Sequence, residues 1–402
     1  MRRPEDTADA VMVTGDAIEE LAPVAAVPSP PASAIVAVTL AGIGAFLNLY
    51  TTQPLLPTFA ALFHASKAAV GMTISAATLG VAFSAPFCGL LAERIGRRRV
   101  IVTATLVLAI PTMLAATAAS LDTLIVWRLL QGIVMPGVFG VTIAYITEEW
   151  PAGEVARVMS VYVSGTVLGG FLGRFLPGVA PTWRWGFIVI GALDLLFGVV
   201  LAQWLPPDQT NPRPEARGPR PALFGRRLLA TYIVGFNVLF SLAATFTYIT
   251  FHLAAPPYRM TPAHLSLLFM VYLVGLVVTP LGGLTIARAG SRATLIGALI
   301  ASMSGVALTL AAPLPLIVIG LTLCSSGVFV CQAASTSYIH SAAPAGGRSA
   351  AAGMYVAAYY IGGSAAGVVP GFFWQFGGWT ACVLLVIAVQ AVTIAIAAIA
   401  WK

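Results

Sequence analysis

The chain has 402 residues and a formal net charge of +7, with 59% of its residues hydrophobic and only 9% charged. A soluble domain carries about 25% charged residues, so a water-facing surface cannot be assembled from this composition. The basic excess raises nucleic acid as a partner, but its placement along the chain excludes that reading.

Residues 1–33 contain Glu5, Asp6, Asp9, Asp16, Glu19 and Glu20. They lack the basic n-region and short apolar core of a cleaved signal, and read as a disordered tail on the cytoplasmic side. From residue 34 onward uncharged apolar stretches follow one another, each near the roughly 20 helical residues that cross a bilayer core. Twelve such spans centre near residues 46, 79, 108, 134, 168, 195, 239, 275, 302, 327, 360 and 390. Most connections are short. The exception is "PPDQTNPRPEARGPRPALFGR" at 206–226, whose prolines and arginines can neither continue a helix nor sit in lipid. It separates a six-helix half at 34–205 from a second at 227–402, which gives an all-α membrane protein of twelve transmembrane helices.

Sixteen of the 21 Lys and Arg fall in the tails and even-numbered loops if the N-terminus is cytoplasmic. Lys67, Arg184 and Arg259 then face outward, while Arg128 and Arg174 lie inside spans 4 and 5. The positive-inside rule therefore places both termini in the cytoplasm of a cell with this chain in its inner membrane. The basic residues are a topology signal with contacts to anionic lipid, and not a nucleic-acid footprint.

The loop after span 2, "GLLAERIGRRR" at 89–99, has a fainter copy after span 8, "GLTIARAGSRA" at 283–293. An offset of 194 carries Gly89, Arg94, Gly96 and Arg98 onto Gly283, Arg288, Gly290 and Arg292. "YVSGTVLGGFLGRFLPG" at 162–178 and "YVAAYYIGGSAAGVVPG" at 355–371 repeat with an offset of 193. Two parallel six-helix halves related by an axis along the membrane normal are associated with alternating-access transport, with the substrate held between them near the midplane.

Charged and polar groups inside lipid need partners, and are candidate functional residues for that reason. Arg128 lies about two turns inside span 4, where a cation needs partners; it is a candidate functional residue, or else a structural hub that binds carbonyls. Asp194 is the one carboxylate in the middle of a span, a candidate proton carrier or a locally paired acid. Arg174, within two turns of the outer end of span 5, is expected to snorkel to the headgroups, with an outer-gate contact as the alternative. Asn48, Tyr50 and Gln53 in span 1, Gln131 in span 4, Asn237 and Tyr248 in span 7 and Gln332 in span 10 are substrate-binding candidates. With Phe236, Phe240 and Phe246 close by, they suggest a pocket for an uncharged or amphipathic compound. The first span offers no acid to capture a proton. Cys88, Cys324, Cys331 and Cys382 form no metal-ligand pattern with histidine, and no phosphate-binding loop is present, so neither a metal site, a cofactor nor an enzyme is expected.

The sequence resembles the major facilitator superfamily from about residue 34 to the end. The loop signature G-x-x-x-D-R-x-G-R-R is met by Gly89, Arg94, Gly96, Arg97 and Arg98, with Glu93 at the aspartate position. "LNLYTTQPLLP" at 47–57 and "WRLLQG" at 127–132 are similar to first- and fourth-span motifs of twelve-span drug:proton antiporters. "TYITFHLAAPPY" at 247–258 is similar to the seventh-span ending of a YnfM-like branch of exporters, with Thr247 in place of an asparagine. The fifth-span antiporter motif G-P-x-x-G-G is only partly met, by Gly169, Gly170, Phe171, Leu172, Gly173 and Arg174.

The resemblance implies a cytoplasmic gate in which Gly89, Glu93 and Arg94 latch the halves through the start of span 11, weaker in the second copy because Ala287 replaces the acid. It also implies that Arg128 serves the proton relay or the substrate. The resulting expectation is a monomeric secondary transporter that exports a small drug-like or sugar-type compound in exchange for protons. An uncoupled or uptake facilitator is the alternative, and a membrane receptor a more distant one.

Overall fold

The computed structural model describes residues 31–208, 223–344 and 347–401. The tail expected at 1–33 lies outside these residues up to residue 30, and so does most of the 206–226 linker. Helix begins at Ala32, two residues before the expected start of the first half at 34. The described residues fold into helices throughout.

Among the described residues, ten continuous helical runs are long and apolar enough to cross a membrane. Two of them, Pro262–Leu308 and Ala350–Ala400, have 47 and 51 residues, about twice what a bilayer core needs. Each breaks at glycine. Gly290 has φ of 78° and Gly378 of 58°, in the left-handed region that a side chain disfavours. Divided there, the ten runs make twelve spans. In chain order the first seven are Ala32–Leu62, Lys67–Ile95, Arg97–Ala115, Leu121–Glu149, Ala152–Val179, Trp183–Trp204 and Arg226–Ala254. Spans 8 and 9 are the two parts of Pro262–Leu308, span 10 is Leu314–Ala342, and spans 11 and 12 are the two parts of Arg348–Ala400.

Large apolar side chains such as Phe83, Val277, Ile300 and Leu384 are exposed along the outside of the bundle. With no water in the hydrocarbon they are the lipid-facing surface, and close backbone packing holds the inside. Gly165, Gly169 and Gly173 lie on one stripe of span 5. A Cβ at each would come within 2.7, 2.2 and 2.1 Å of the span 1 carbonyls of Thr39, Ile43 and Leu47. The second half repeats the contact: a Cβ on Gly362 of span 11 would come within 2.0 Å of the Phe236 carbonyl in span 7.

The bundle has two unlike ends. We call the end bearing the 89–99 loop the basic end. At the opposite, far end, spans 2, 4, 6 and 8 start under Ser66, Ser120, Thr182 and Thr261, whose hydroxyls accept from the helix N–H three residues on. There the two halves touch along three seams. Span 2 lies against span 11, where Ser75 Oγ donates to the carbonyl of Ser364 and Ser364 Oγ donates to the carbonyl of Ser75. Next to this pair a Cβ on Gly71 would meet the Gly367 carbonyl at 1.8 Å. Tyr248 of span 7 donates to that same Gly367 carbonyl at 2.7 Å. Spans 1 and 7 are joined by Gln53 Nε2 donating to Thr247 Oγ1 at 3.1 Å, and spans 5 and 8 by Ser266 Oγ donating to the Arg174 carbonyl at 3.0 Å. Lys67 adds its ammonium over the rings of Phe251 and Trp374.

Candidate functional site: a central cavity sealed at one end

A cavity of about 900 Å³ runs from the basic end up to the far-end seams. Its walls come from spans 1, 5, 7, 8, 10 and 11, so both halves contribute. Near the basic end it is flanked by small and polar residues, among them Ser160, Ser164, Thr279, Thr336 and Ser337. Deeper in, aromatic rings take over: Phe46, Tyr50, Tyr272, Phe329, Tyr359 and Tyr360. The volume lies within the roughly 300–1,000 Å³ of small-molecule sites.

The closed end of the cavity is built on Arg174. Its guanidinium lies 4.3 Å from the centre of the Tyr50 ring and 4.4 Å from that of Tyr272, with Phe269 at 5.2 Å. Nε donates to Gln53 Oε1 at 2.6 Å, and Nη1 donates to the Gly170 carbonyl. The side chain is buried, with 2% of the residue exposed. Arg174 therefore does not snorkel to the headgroups as the sequence suggested. Span 5 packs on span 8 at this level, and ring faces with two oxygens solvate the charge in place of water.

A second polar cluster lies behind the cavity wall, inside the first half. Span 1 is interrupted at Tyr50–Thr52, where "TTQPLLP" brings Pro54 and Pro57, which carry no N–H. Gln53 N donates to Tyr50 and not to Leu49, so the turn leaves the Leu49 carbonyl without its helical partner. Arg128 fills the gap: Nη2 donates to the carbonyl of Leu49, Nη1 to that of Asn48 at 2.8 Å and Nε to that of Thr73 at 3.1 Å. Nη1 also donates to Gln131 Oε1 at 2.5 Å. Gln131 Nε2 passes the chain on to Thr112 and Asn48, at 2.7 and 3.3 Å. Asn48 Nδ2 then donates to both carboxylate oxygens of Asp194, at 3.0 and 2.9 Å. Arg128, Gln131, Asn48 and Asp194 are all fully buried. Asp194, though on the peripheral span 6, is thus tied through one asparagine to the break in span 1.

At the basic end the arginines of the 89–99 loop form a brace. Gly96 turns the chain with φ of 97°, and a Cβ there would meet Asp208 Oδ2 at 2.4 Å. Asp208 accepts from the backbone N–H of Arg98 at 3.0 Å, so its charge sits on the positive N-terminus of span 3. The Arg98 side chain donates to the carbonyls of Leu205 and Ala202, the open C-terminal end of span 6. Arg97 pairs with Glu148 and lies 3.7 Å from Glu149 at the end of span 4. The second copy keeps one of these contacts, Arg292 donating to the Ala398 carbonyl at 2.6 Å at the end of span 12.

Glu93, Arg94 and Arg288 are exposed, and none has an ion-pair or hydrogen-bond partner among the described residues. A Cβ on Gly89, Gly283 or Gly290 would meet nothing within 4 Å. Among the described residues Glu93 makes no contact with the start of span 11, and the hydrogen bonds between spans 2 and 11 lie toward the far end.

Of the seven polar substrate candidates, Tyr50 and Gln332 line the cavity. Asn48 and Gln131 belong to the Arg128 cluster, and Gln53 and Tyr248 to the far-end seams. Asn237 is buried and accepts from Ser241 Oγ at 2.8 Å. Phe236, Phe240 and Phe246 are not on the cavity wall either; Phe236 stacks on Phe240 with centroids 5.7 Å apart, and Phe246 packs on Tyr272 and Phe269. Tyr272, Tyr359, Tyr360, Thr112, Ser266 and Asp208 carry much of the site's geometry without having been singled out. Only "AAYYIGG", inside the 193-residue repeat, held a signal for two of them.

Two pseudo-symmetric helical halves around a cavity with one open end define a multi-pass membrane transporter, which takes a small-molecule substrate and performs no covalent chemistry. The major facilitator superfamily model matches residues 38–367, and the chain belongs to that family. It is 30% identical to the inner membrane transport protein YnfM of Escherichia coli (strain K12) over 349 residues, 84% of this chain and 83% of that one. The uncharacterized MFS-type transporter YybF of Bacillus subtilis (strain 168) is 29% identical over 348 residues, covering 84% and 86%. Among solved structures, a mutant of the nucleoside transporter NupG superposes with a TM-score of 0.79 at 12% identity, covering 92% of this chain and all of that one. The YnfM likeness agrees with the branch suggested by the seventh-span ending.

Proposed function

We propose that the protein exports a small organic compound by alternating access in exchange for protons, and that the basic end faces the cytoplasm of a bacterial inner membrane. The observation that carries this reading is the cavity between the halves, open at the end where positive charge concentrates and closed at the other by three separate seams. In that orientation the structure corresponds to the inward-open state. Glu93 and Arg94 then engage the start of span 11 only in the outward-open state.

Asp194 is the proposed proton site. It lies outside the cavity, but its partner Asn48 is two residues from the cavity-lining Tyr50 and holds the edge of the span 1 break. Protonation of Asp194 removes an acceptor charge from Asn48, and a shift of that asparagine moves the break. The second reading, an uncoupled facilitator, is favoured by the lack of any carboxylate among the described cavity-lining residues.

Flux in proteoliposomes under an imposed pH gradient separates the two. Coupled export predicts accumulation driven by the gradient in wild type, and gradient-independent flux in Asp194→Asn. Wild-type flux that ignores the gradient removes proton exchange and leaves the facilitator.

A further inference from the structure

We infer that the cavity takes an organic anion, with a carboxylate held by Arg174 and a flat or aromatic body packed among Tyr50, Tyr272, Phe329, Tyr359 and Tyr360. The inference gives a substrate class to the transport reading above and rests on it only for the word substrate; binding stands by itself.

Three features converge. First, the cavity walls carry one cation and, among the described residues, no acid. Arg174 is buried with two oxygen acceptors and ring faces around it but without a carboxylate, so the closed end of the cavity holds an uncompensated positive charge. A buried guanidinium without a counter-ion is costly, and an entering anion relieves that cost. Its planar fork also matches the two oxygens of a carboxylate.

Second, the hydroxyls of Tyr50 and Tyr272, whose rings bracket the guanidinium, are buried: that of Tyr50 has no hydrogen-bond partner among the described residues, and that of Tyr272 lies beside the Arg174 guanidinium, which can only donate, and has no acceptor there. Both residues line the cavity. Buried hydroxyls in native proteins nearly always donate to something, so two O–H groups without an acceptor beside one arginine suit a ligand that brings acceptor oxygens. Third, the remaining deep wall is aromatic. Phe46, Phe329, Tyr359 and Tyr360 offer apolar faces to a planar body while the polar groups fix its charged end.

The arginine also stands out against the repeat. The equivalent position in the second half, 193 residues on, is Gly367, which gives span 11 its backbone contact with span 2. Close helix packing at this position needs a glycine, and the first half holds a long cation there instead.

The test uses full-length purified protein in lipid nanodiscs and compares benzoate, 2-naphthoate and indole-3-acetate with their neutral amides and with benzylamine, by calorimetric titration and thermal shift. Wild type should bind at least one acid about tenfold or more tighter than its amide, the expected order for a charge-assisted hydrogen-bonded pair. Arg174→Gln should erase that preference, Arg174→Lys should retain part of it, and Tyr50→Phe and Tyr272→Phe should each weaken the acid several-fold while leaving the amide unchanged. The wild-type comparison needs no variant to fold. Amides that match the acids, a preference for benzylamine, no binding by any acid, or an acid preference surviving in a folded Arg174→Gln would each overturn the inference. None of these outcomes touches alternating access, which the gradient experiment tests separately.

Discussion

Arg128 spans a gap that the chain itself opens. Prolines at 54 and 57 interrupt span 1, the carbonyls of Asn48 and Leu49 turn toward span 4, and a guanidinium with five donors is the side chain able to meet both along with Thr73. This is the carbonyl-binding hub that the sequence left open as an alternative. Replacing it by methionine keeps the length and removes every donor. We expect Arg128→Met to lose about 3 kcal/mol or more of stability, since a buried acceptor left unmet costs roughly 1–3 kcal/mol. Thermal unfolding of the purified variant measures it. Asp194→Asn keeps an oxygen for Asn48 to donate to, so its stability should change by under about 1.5 kcal/mol while its response to a pH gradient changes. The pair of measurements separates the residue that builds the site from the one assigned to couple it.

At the scale of elements, the far-end seams decide which side is open. Span 2 and span 11 meet backbone to backbone at Gly71 and Gly367, where even a methyl group has no room. Gly71→Ala should force these helices apart at the far end and move the population toward the outward-open state. Spin labels on cysteines introduced at 62 and 376 would report a longer far-end distance, and labels at 94 and 354 a shorter one at the basic end. No change in either distance would show that the seam does not set the equilibrium.

The spans were legible because apolar length and charge punctuation follow directly from the solvent, and the repeats because two stretches of residues match at a fixed offset. Gly96 and Gly290, both at positive φ, occupy turns that their loop motif marks. What sequence could not carry was direction. Arg174 and Asp194 each had an obvious position along a helix, but whether a long side chain points to lipid, cavity or a neighbouring span depends on helix rotation and tilt, set by contacts across hundreds of residues. For the same reason Gln53, read as a ligand, fastens one half to the other through Thr247, while Tyr248 donates to Gly367 within its own half beside the seam.

At the scale of the whole molecule, each half carries its own bracket at the basic end. Arg98 ties the start of span 3 to the end of span 6, and Arg292 ties the start of span 9 to the end of span 12. The Arg98 side chain makes the stronger bracket, with two carbonyls against a single carbonyl for Arg292. Arg98→Ala should therefore lower the unfolding temperature more than Arg292→Ala; equal effects would show that the additional contacts contribute nothing. Such brackets let each half rotate as one body, so that motion concentrates at the seams between them.

Arg174 belongs both to the plug and to the pocket, and that double membership has an outcome for release. When the far end parts, water reaches the guanidinium, and the dielectric around it climbs from the protein's effective value of about 20 toward about 80. The Coulomb attraction on whatever anion it grips drops roughly fourfold in the same stroke that unlocks the exit. Loosening the door thus loosens the hand, and no separate trigger is needed to let go on the far side.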